Sequence, residues 1–284
     1  MTQNSLSSPV ILAVLAHPDD ESFGMGGALA HYANRGAAVH LICATRGEVG
    51  EVAPEHLQGY QSIADLREDE LRCAARHLKL SGLHFLDYRD SGMPGSPENA
   101  HPRALAAQPV EQVAAEVARC IRELRPEVVL TFDPIGGYKH PDHIAIHKAT
   151  VRAFHLAADP AFERGLSPWQ ARKLYFHLIP KNFLKVGVFL LRLFGKDPRK
   201  FGQNGDIDLQ ALVEEENFPV HAVVDYRDAA AQKEAASHCH ASQGGVQMSR
   251  GVMGWFRKLV GSKDYFMRAY PPPEDGRRER DLLA

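Results

Sequence analysis

Two short segments carry most of the reactive side chains in this sequence: His17-Pro18-Asp19-Asp20-Glu21 and Tyr138-Lys139-His140-Pro141-Asp142-His143. Two imidazoles and a carboxylate around a cation, with positions left for water and substrate, form the donor set expected of catalytic zinc. His17, Asp20 and His143 are the expected ligands. A site that splits water also needs a base that is not itself a ligand, and Asp19, beside Asp20, can take that role. Either segment alone reads equally well as a proline turn with an acidic helix cap. Turns do not require histidine, however, and two such segments at equivalent places in one structural rhythm favour the metal.

For these segments to meet, the chain must bring distant loops together. Val10 to Ala16 is a continuous apolar run, the pattern of a strand buried on both faces of a parallel sheet. The first segment follows it directly. Helix is expected from Gly26 to Asn34, strand from Ala38 to Ala44, helix from Ser62 to Leu80 and strand from Leu83 to Leu86. A helix from Pro109 to Leu124, a strand from Glu127 to Phe132, a helix from His140 to Ala157 and strands at Lys173 to Leu178 and Val220 to Val224 continue the alternation. This predicts an α/β fold, Rossmann-like, with a mostly parallel sheet flanked by helices and the site at the strands' C-terminal ends. Residues 1–284 are read as one domain, with 180–217 an insertion on the active-site rim and Pro271 to Arg278 an extended or frayed tail.

Composition narrows the class. The chain has 284 residues, 44% apolar and 24% charged, and a formal charge of −2, which excludes a disordered chain and argues against a nucleic-acid partner. The four cysteines, Cys43, Cys73, Cys120 and Cys239, form no CxxC pair, so no disulfide framework is expected and a reducing cytoplasm fits best. The amino-terminal apolar run is too short for a signal peptide or a membrane span. Val186 to Phe194 is a second apolar run, too short to cross a bilayer, and is read as a core or homo-oligomer contact before a membrane-touching or partner helix.

The sequence resembles the PIG-L/LmbE-like zinc N-deacetylases. The likeness rests on Ala16-His17-Pro18-Asp19-Asp20-Glu21, Thr45-Arg46-Gly47-Glu48, Arg67-Glu68-Asp69-Glu70, Asp90-Ser91-Gly92-Met93, Tyr138 to His143 and His240-Ala241-Ser242-Gln243. Asp90 to Arg103 and the Gly-Gly-Tyr before His140 are similar to the mycothiol and bacillithiol branches in particular. The resemblance implies removal of acetyl from an N-acetylglucosaminide, a small N-acetylated amino sugar, or from a thiol-sugar conjugate or another N-acyl compound. It implies Zn²⁺ on His17, Asp20 and His143, with Fe²⁺ as an alternative cation, and Asp19 as general base. It makes a protonated His140 the electrophilic partner of the oxyanion, Tyr138 a hydroxyl donor over the carbonyl, and Asp142 a carboxylate fixing a histidine tautomer. Arg67, Glu48 and Asp90 would contact the sugar or its aglycone, while His240, Gln243 and Lys233 lean towards a structural role.

Three rivals are weaker. Gly24-Met25-Gly26-Gly27 invites a dinucleotide reading, but Leu29 stands where the fingerprint needs a small residue, and Cys43-Ala44-Thr45 offers no acid at the end of the second strand. Two histidines and a carboxylate also suit a non-haem iron oxygenase, against which the second aspartate argues. A catalytically silent sugar-binding protein would have shown an altered Asp19 or ligand.

Overall fold

The computed structural model describes residues 8–163, 165–202, 205, 207–248, 261–274 and 276–284. Strand β1 (Val10–Leu15) lies mid-sheet, buried from Ile11 onward. Helix α1 (Gly26–Asn34) leads to β2 (Ala38–Cys43), and α2 (Ile63–Leu78) to β3 (Gly82–Phe85). Both β2 and β3 extend the sheet from β1 in parallel. Helix α3 (Val110–Leu124) then carries the chain back to β4 (Val128–Phe132), parallel to β1 on its other side. A single turn, α4 (Gly136–Lys139), precedes α5 (Pro141–Leu156), and β5 (Lys173–Leu178) pairs parallel with β4.

The sheet order is β3-β2-β1-β4-β5-β7-β6, where β6 is Ala222–Asp225 and β7 is Lys263–Tyr270. The order reverses between β1 and β4. In an open parallel sheet that reversal opens a crevice outside the strands' C-terminal ends, and the His17 and His140 segments leave those two strands there. The apolar faces explain the layers. Leu12, Val14, Leu41, Ile42, Val129 and Leu130 are fully buried or nearly so, and each such side chain stabilises the fold by about 1.5–3 kcal/mol. Helices α1 and α2 pack with α8 (Ala230–Cys239), and α3 packs with α5.

Helix starts follow from local chemistry. Ser62 caps α2 by accepting the Asp65 amide at 3.1 Å. Pro141 occupies the first turn of α5, where its missing N–H costs nothing, with His140 at the cap position before it. His140 and His143 therefore project from the first turn of a helix aimed at the end of β1.

Several expectations need correction. Strand β7 was absent from the sequence reading, because Lys263, Asp264 and Arg268 interrupt its apolar pattern. It pairs antiparallel with both β5 and β6. The described residues of 271–278 are exposed and irregular, in keeping with an extended tail, and beyond them the chain packs back on the fold. Glu279 bridges to Ala222 and bonds Lys173 and Tyr175, and Leu282 is fully buried; Asp275, within the segment read as frayed, lies outside the described residues. Cys73 and Cys239 form a disulfide across 166 residues of sequence, their Cα atoms 5.8 Å apart because α2 and α8 pack side by side. Cysteine spacing could not reveal that, and cysteine usage now carries no argument for a reducing compartment. Within 180–217, α6 (Lys181–Leu193) and α7 (Leu209–Glu214) pack on each other through Val188, Leu209 and Leu212, yet Phe189 and Leu193 are exposed rather than core. No helix among the described residues is long and apolar enough to cross a membrane.

Candidate active site

His17 follows β1 and is nearly buried between three aspartates. Its Nε2 lies 3.1 Å from Asp142 Oδ2 and 3.5 Å from Asp90 Oδ1. With Nε2–H donating to Asp142, the hydrogen-bond network leaves the Nδ1 lone pair pointing the other way. His143 is arranged in mirror fashion: Nδ1–H donates to the Gly136 carbonyl at 3.2 Å, leaving Nε2 bare. The two bare nitrogens, His17 Nδ1 and His143 Nε2, face each other at 3.2 Å. Asp20 completes a triangle, with Oδ2 3.5 Å from His17 Nδ1 and Oδ1 3.2 Å from His143 Nε2.

Donors about 2.0–2.1 Å from a tetrahedral cation stand roughly 3.3 Å from one another, so these edges fit a divalent metal such as zinc. The charges fit too. Asp19, Asp20, Asp90 and Asp142 crowd one site whose permanent cation is Arg67, and buried carboxylates need compensating positive charge. Without it, burial would lower the His17 pKa, but Asp90, Asp142 and Asp20 hold it well above the ordinary histidine value. By distance alone His140 could be a third nitrogen donor with His17 and His143.

His140 is better suited to another task. Its Nδ1 accepts the Asp142 amide at 3.2 Å, which places its proton on Nε2. Burial, with His17 and His143 nearby, pushes its pKa well below the ordinary value. The expected protonated His140 is thus corrected to a neutral imidazole that donates from Nε2. Its ring sits 4.5 Å from that of His17 and 5.9 Å from that of Tyr138. Tyr138 also lies edge-on to His143 at 5.0 Å, on the turn whose Gly136 and Gly137 take φ near +65°. A Cβ on Gly136 would stand 2.9 Å from His143 Cβ, so only glycine lets this turn close on the histidine.

Asp19 adopts φ +124°, a strained conformation for a residue with a side chain. Two contacts hold it there. Its amide donates to Glu21 Oε2 at 3.0 Å, and its carboxylate accepts from Arg67 Nη2 at 3.0 Å. Burial pushes the Asp19 pKa up to about 6 despite the pull of Arg67, a value suited to accepting a proton near neutrality. The turn after it is a π-helix, Glu21–Met25, a form often found at functional sites.

The expected substrate contacts divide. Arg67 is buried, its Nη1 donating to the Gly47 carbonyl at 2.9 Å and its Nη2 to the Pro18 carbonyl at 2.6 Å as well as to Asp19. It therefore ties two loops and Asp19 together, where the sequence reading had it reaching the sugar. Asp90 faces His17; burial opposes its ionisation, but His17 and the Gly92 amide hold its carboxyl well below the usual range. Glu48 accepts the Asp90 amide through Oε1, while its buried Oε2 has no protein partner. That oxygen is an acceptor suited to a hydroxyl. A cavity of about 400 Å³ is lined by Asp133 and by Gly137, next to Tyr138 in the chain, together with Lys181, Asn182, Leu184 and Arg278.

Two residues had no role assigned from the sequence. Ser91 donates its amide at 2.8 Å and its hydroxyl to Asp142, so that Asp142 orients His17 instead of capping α5. Glu21 pairs with His240 behind Asp19. Both lie inside the quoted motifs, which was the signal available. The glycines that invited a dinucleotide reading serve packing: a Cβ on Gly27 would overlap the Tyr226 ring at 2.2 Å.

Comparison with known proteins identifies the family. Residues 12–154 match the PIG-L family, described as GlcNAc-PI de-N-acetylase. A 1D-myo-inositol 2-acetamido-2-deoxy-alpha-D-glucopyranoside deacetylase of Streptomyces scabiei is 37% identical, over 96% of this chain and 88% of the relative. The enzyme of that name from Streptomyces avermitilis is 39% identical over 82% of each chain. The chain belongs to the PIG-L family. It is thus an N-deacetylase, an amide hydrolase. Among solved structures, the N,N'-diacetylchitobiose deacetylase of Pyrococcus horikoshii superposes with TM-score 0.64 at 20% identity, covering 92% of this chain and 84% of the other. The 4-carboxy-2-hydroxymuconate hydratase GalB of Pseudomonas putida reaches TM-score 0.61 at 20% identity, over 94% of this chain and 98% of that one, so the PIG-L fold alone does not fix the reaction.

Proposed function

We propose that this PIG-L protein hydrolyses the N-acetyl amide of an N-acetylglucosaminide, releasing acetate and the free amine, and that its cation is zinc. The observation that carries the reading is the triangle of His17 Nδ1, His143 Nε2 and the Asp20 carboxylate, with the Asp19 carboxylate beside it and not part of it. Bound at that triangle, a divalent cation supplies Lewis acidity that makes a water acidic near pH 7.

The chain's own groups do the rest. Asp19 accepts the proton of the attacking water, whose oxygen adds to the acetamide carbon. His140 donates from Nε2 to the carbonyl oxygen as that oxygen becomes negative, and the Tyr138 hydroxyl is a second donor; losing one such donor typically costs about 10² to 10³ in rate. Asp19 then returns its proton to the nitrogen as the C–N bond breaks. Asp142 and Ser91 keep His17 in one tautomer, and Arg67 and Glu21 keep Asp19 in place.

Glu48 Oε2 and the cavity lined by Asp133, Lys181, Asn182 and Arg278 suit a polyhydroxylated substrate whose aglycone extends beyond the sugar. The substrate for which those relatives are named, an inositol glycoside of N-acetylglucosamine, fits this description. The test is acetate release from that glycoside and from N-acetylglucosaminides with other aglycones, alongside metal analysis, with and without chelator. Acetate release that chelator abolishes and zinc restores supports the reading. A metal-loaded protein that cleaves none of them refutes it.

A further inference from the structure

One surface stands apart from the deacetylase chemistry. Helix α6 fixes itself through one face: Val188 packs on Leu209 and Leu212, and Leu184 and Leu191 join them together with Tyr138. Its opposite face is apolar and open. Val186, Phe189 and Leu193, spaced three and four residues apart, are 44%, 64% and 65% exposed, and Phe194 beyond the last turn is 57% exposed. Exposed single apolar residues are ordinary, but three on one helix and a fourth at its end, two of them phenylalanine, form a patch that calls for a partner.

The surrounding charge says which partner. On α6 and its C-terminal flank, residues 181 to 200, stand six cations, Lys181, Lys185, Arg192, Lys196, Arg199 and Lys200, against the carboxylate of Asp197. The carboxylates that follow, Asp208, Glu214, Glu215 and Glu216, stand on or beside α7, which packs on the inner face of α6, with Glu215 pairing with Lys139 and Glu216 lining the cavity. Among the described residues only Arg199 of the six has an ion-pair partner, Asp197. This concentration of positive charge occurs in a chain whose formal charge is −2. A second copy fits poorly, because a two-fold contact would set each cation cluster against its twin. A basic helix with an aromatic apolar face and too few residues to span fits the interface of an anionic bilayer.

We propose that α6 is a peripheral docking helix that lies flat on an anionic lipid surface, with Phe189, Leu193 and Phe194 between the headgroups and Lys185 and Lys196 against the lipid phosphates, while Arg192 donates to Gln210 on α7. The inner face of the same helix carries Leu184 into the wall of the cavity beside Asp133 and Gly137. Docking would therefore set that side of the molecule close to the membrane while the chain remains unspanned and reversible. The inference is independent of which N-acetyl compound the enzyme cleaves.

The experiment is co-sedimentation of the full chain with vesicles of phosphatidylcholine containing about one-third phosphatidylglycerol. Binding is expected to be at least about tenfold weaker to pure phosphatidylcholine and to be released near ~0.5 M salt, where screening shortens to a few ångströms. Phe189→Ser with Leu193→Ser, and separately Lys185→Glu with Lys196→Glu, should each weaken binding about tenfold. Both pairs are surface changes, so the thermal melt and hydrolysis of a soluble substrate should stay as in the parent. Failure of the folded parent to bind anionic vesicles overturns the proposal, as does binding that the serine pair leaves unchanged. A concentration-dependent dimer that the serine pair abolishes overturns it as well, by assigning the face to a second copy.

Discussion

His240 Nε2 lies 2.8 Å from Glu21 Oε1, and both side chains are completely buried. The second Glu21 oxygen accepts the amide of Asp19, so a histidine 219 residues further along the chain reaches the strained loop through one carboxylate. Ser242, two residues on, binds both oxygens of Glu70 on α2 through its amide and hydroxyl, at 2.8 and 2.7 Å. The end of α8 thus closes over the back of the site and holds Asp19 without touching it.

That pairing gives a pH signature. Burial opposes the charged forms, but Glu21 raises His240 above its ordinary 6.5 and His240 lowers Glu21 below 4.5. A raised histidine contributes stability that is whole below 6.5 and lost as pH climbs through its folded pKa; a lowered glutamate contributes above 4.5 and loses it on acidification. The pair is therefore worth most between those values. His240→Gln should destabilise by about 3 kcal/mol near pH 5.5, since it strands a buried carboxylate, and the gap should narrow above neutrality. Urea midpoints of both proteins across pH 5 to about 9 measure it. A gap that widens with pH would contradict the assigned charges.

Asp19 and His143 should separate chemistry from metal binding. Asn tolerates positive φ better than most residues, so Asp19→Asn keeps the loop and the cation while removing the proton acceptor. Its turnover should fall by about 10² to 10⁴ with metal content unchanged. His143→Ala should lose both metal and turnover. Elemental analysis beside initial rates reads the two outcomes, and an Asp19→Asn enzyme with parental turnover would remove Asp19 from the reaction.

Arg67 distinguishes positioning from substrate contact. Its fork bonds Gly47, Pro18 and Asp19 together, which the single ammonium of lysine cannot reproduce. Arg67→Lys should lower kcat by about 10- to 100-fold with KM little changed, because a misplaced base slows the step without loosening the substrate. A raised KM at parental kcat would restore the sugar contact expected from the sequence.

What was legible in the sequence follows from locality. The five parallel strands announce themselves as short apolar runs bounded by glycine and proline, and the two histidine segments sit at strand ends where the α/β rhythm demands loops. Strand β7 escaped because it fully buries only Asp264 and Phe266 and leaves its other positions partly or wholly exposed, which lets Lys263 and Arg268 stand in it and breaks the apolar run. Arg67 is expected at the sugar rather than beneath two loops, since nothing in an i, i+4 charge pattern reveals that Gly47 and Pro18 fold over it. The link from His240 to Glu21, like the one from Cys73 to Cys239, depends on how α8 docks, which no local pattern encodes.

That docking carries its own test. The disulfide ties α2, which bears Arg67 and Glu70, to the end of α8, just before His240. A crosslink closing so long a loop restricts the unfolded chain, and its removal typically costs about 2–4 kcal/mol. Cys73→Ser should lower the unfolding free energy by that amount in oxidising buffer, and by almost nothing when both proteins are unfolded with a thiol reductant present. Equal stability of the two in oxidising buffer would mean the bond is not formed.

Asp142 offers the sharpest division between charge and tautomer. Its carboxylate accepts from Ser91 N, Ser91 Oγ and His17 Nε2, which leaves His17 Nδ1 bare towards His143. Asn can still accept the His17 proton but brings no charge, so Asp142→Asn keeps the tautomer and weakens only the basicity of the ring. Ala removes both. Carboxylates behind metal-binding histidines are commonly worth about 10- to 100-fold in metal affinity, so Asn should fall near the lower figure and Ala near the upper. Competition for zinc against a chromophoric chelator gives the affinities, and turnover at saturating zinc shows how much of the rate loss is occupancy. If Ala and parent bind zinc equally, Asp142 does not act through His17.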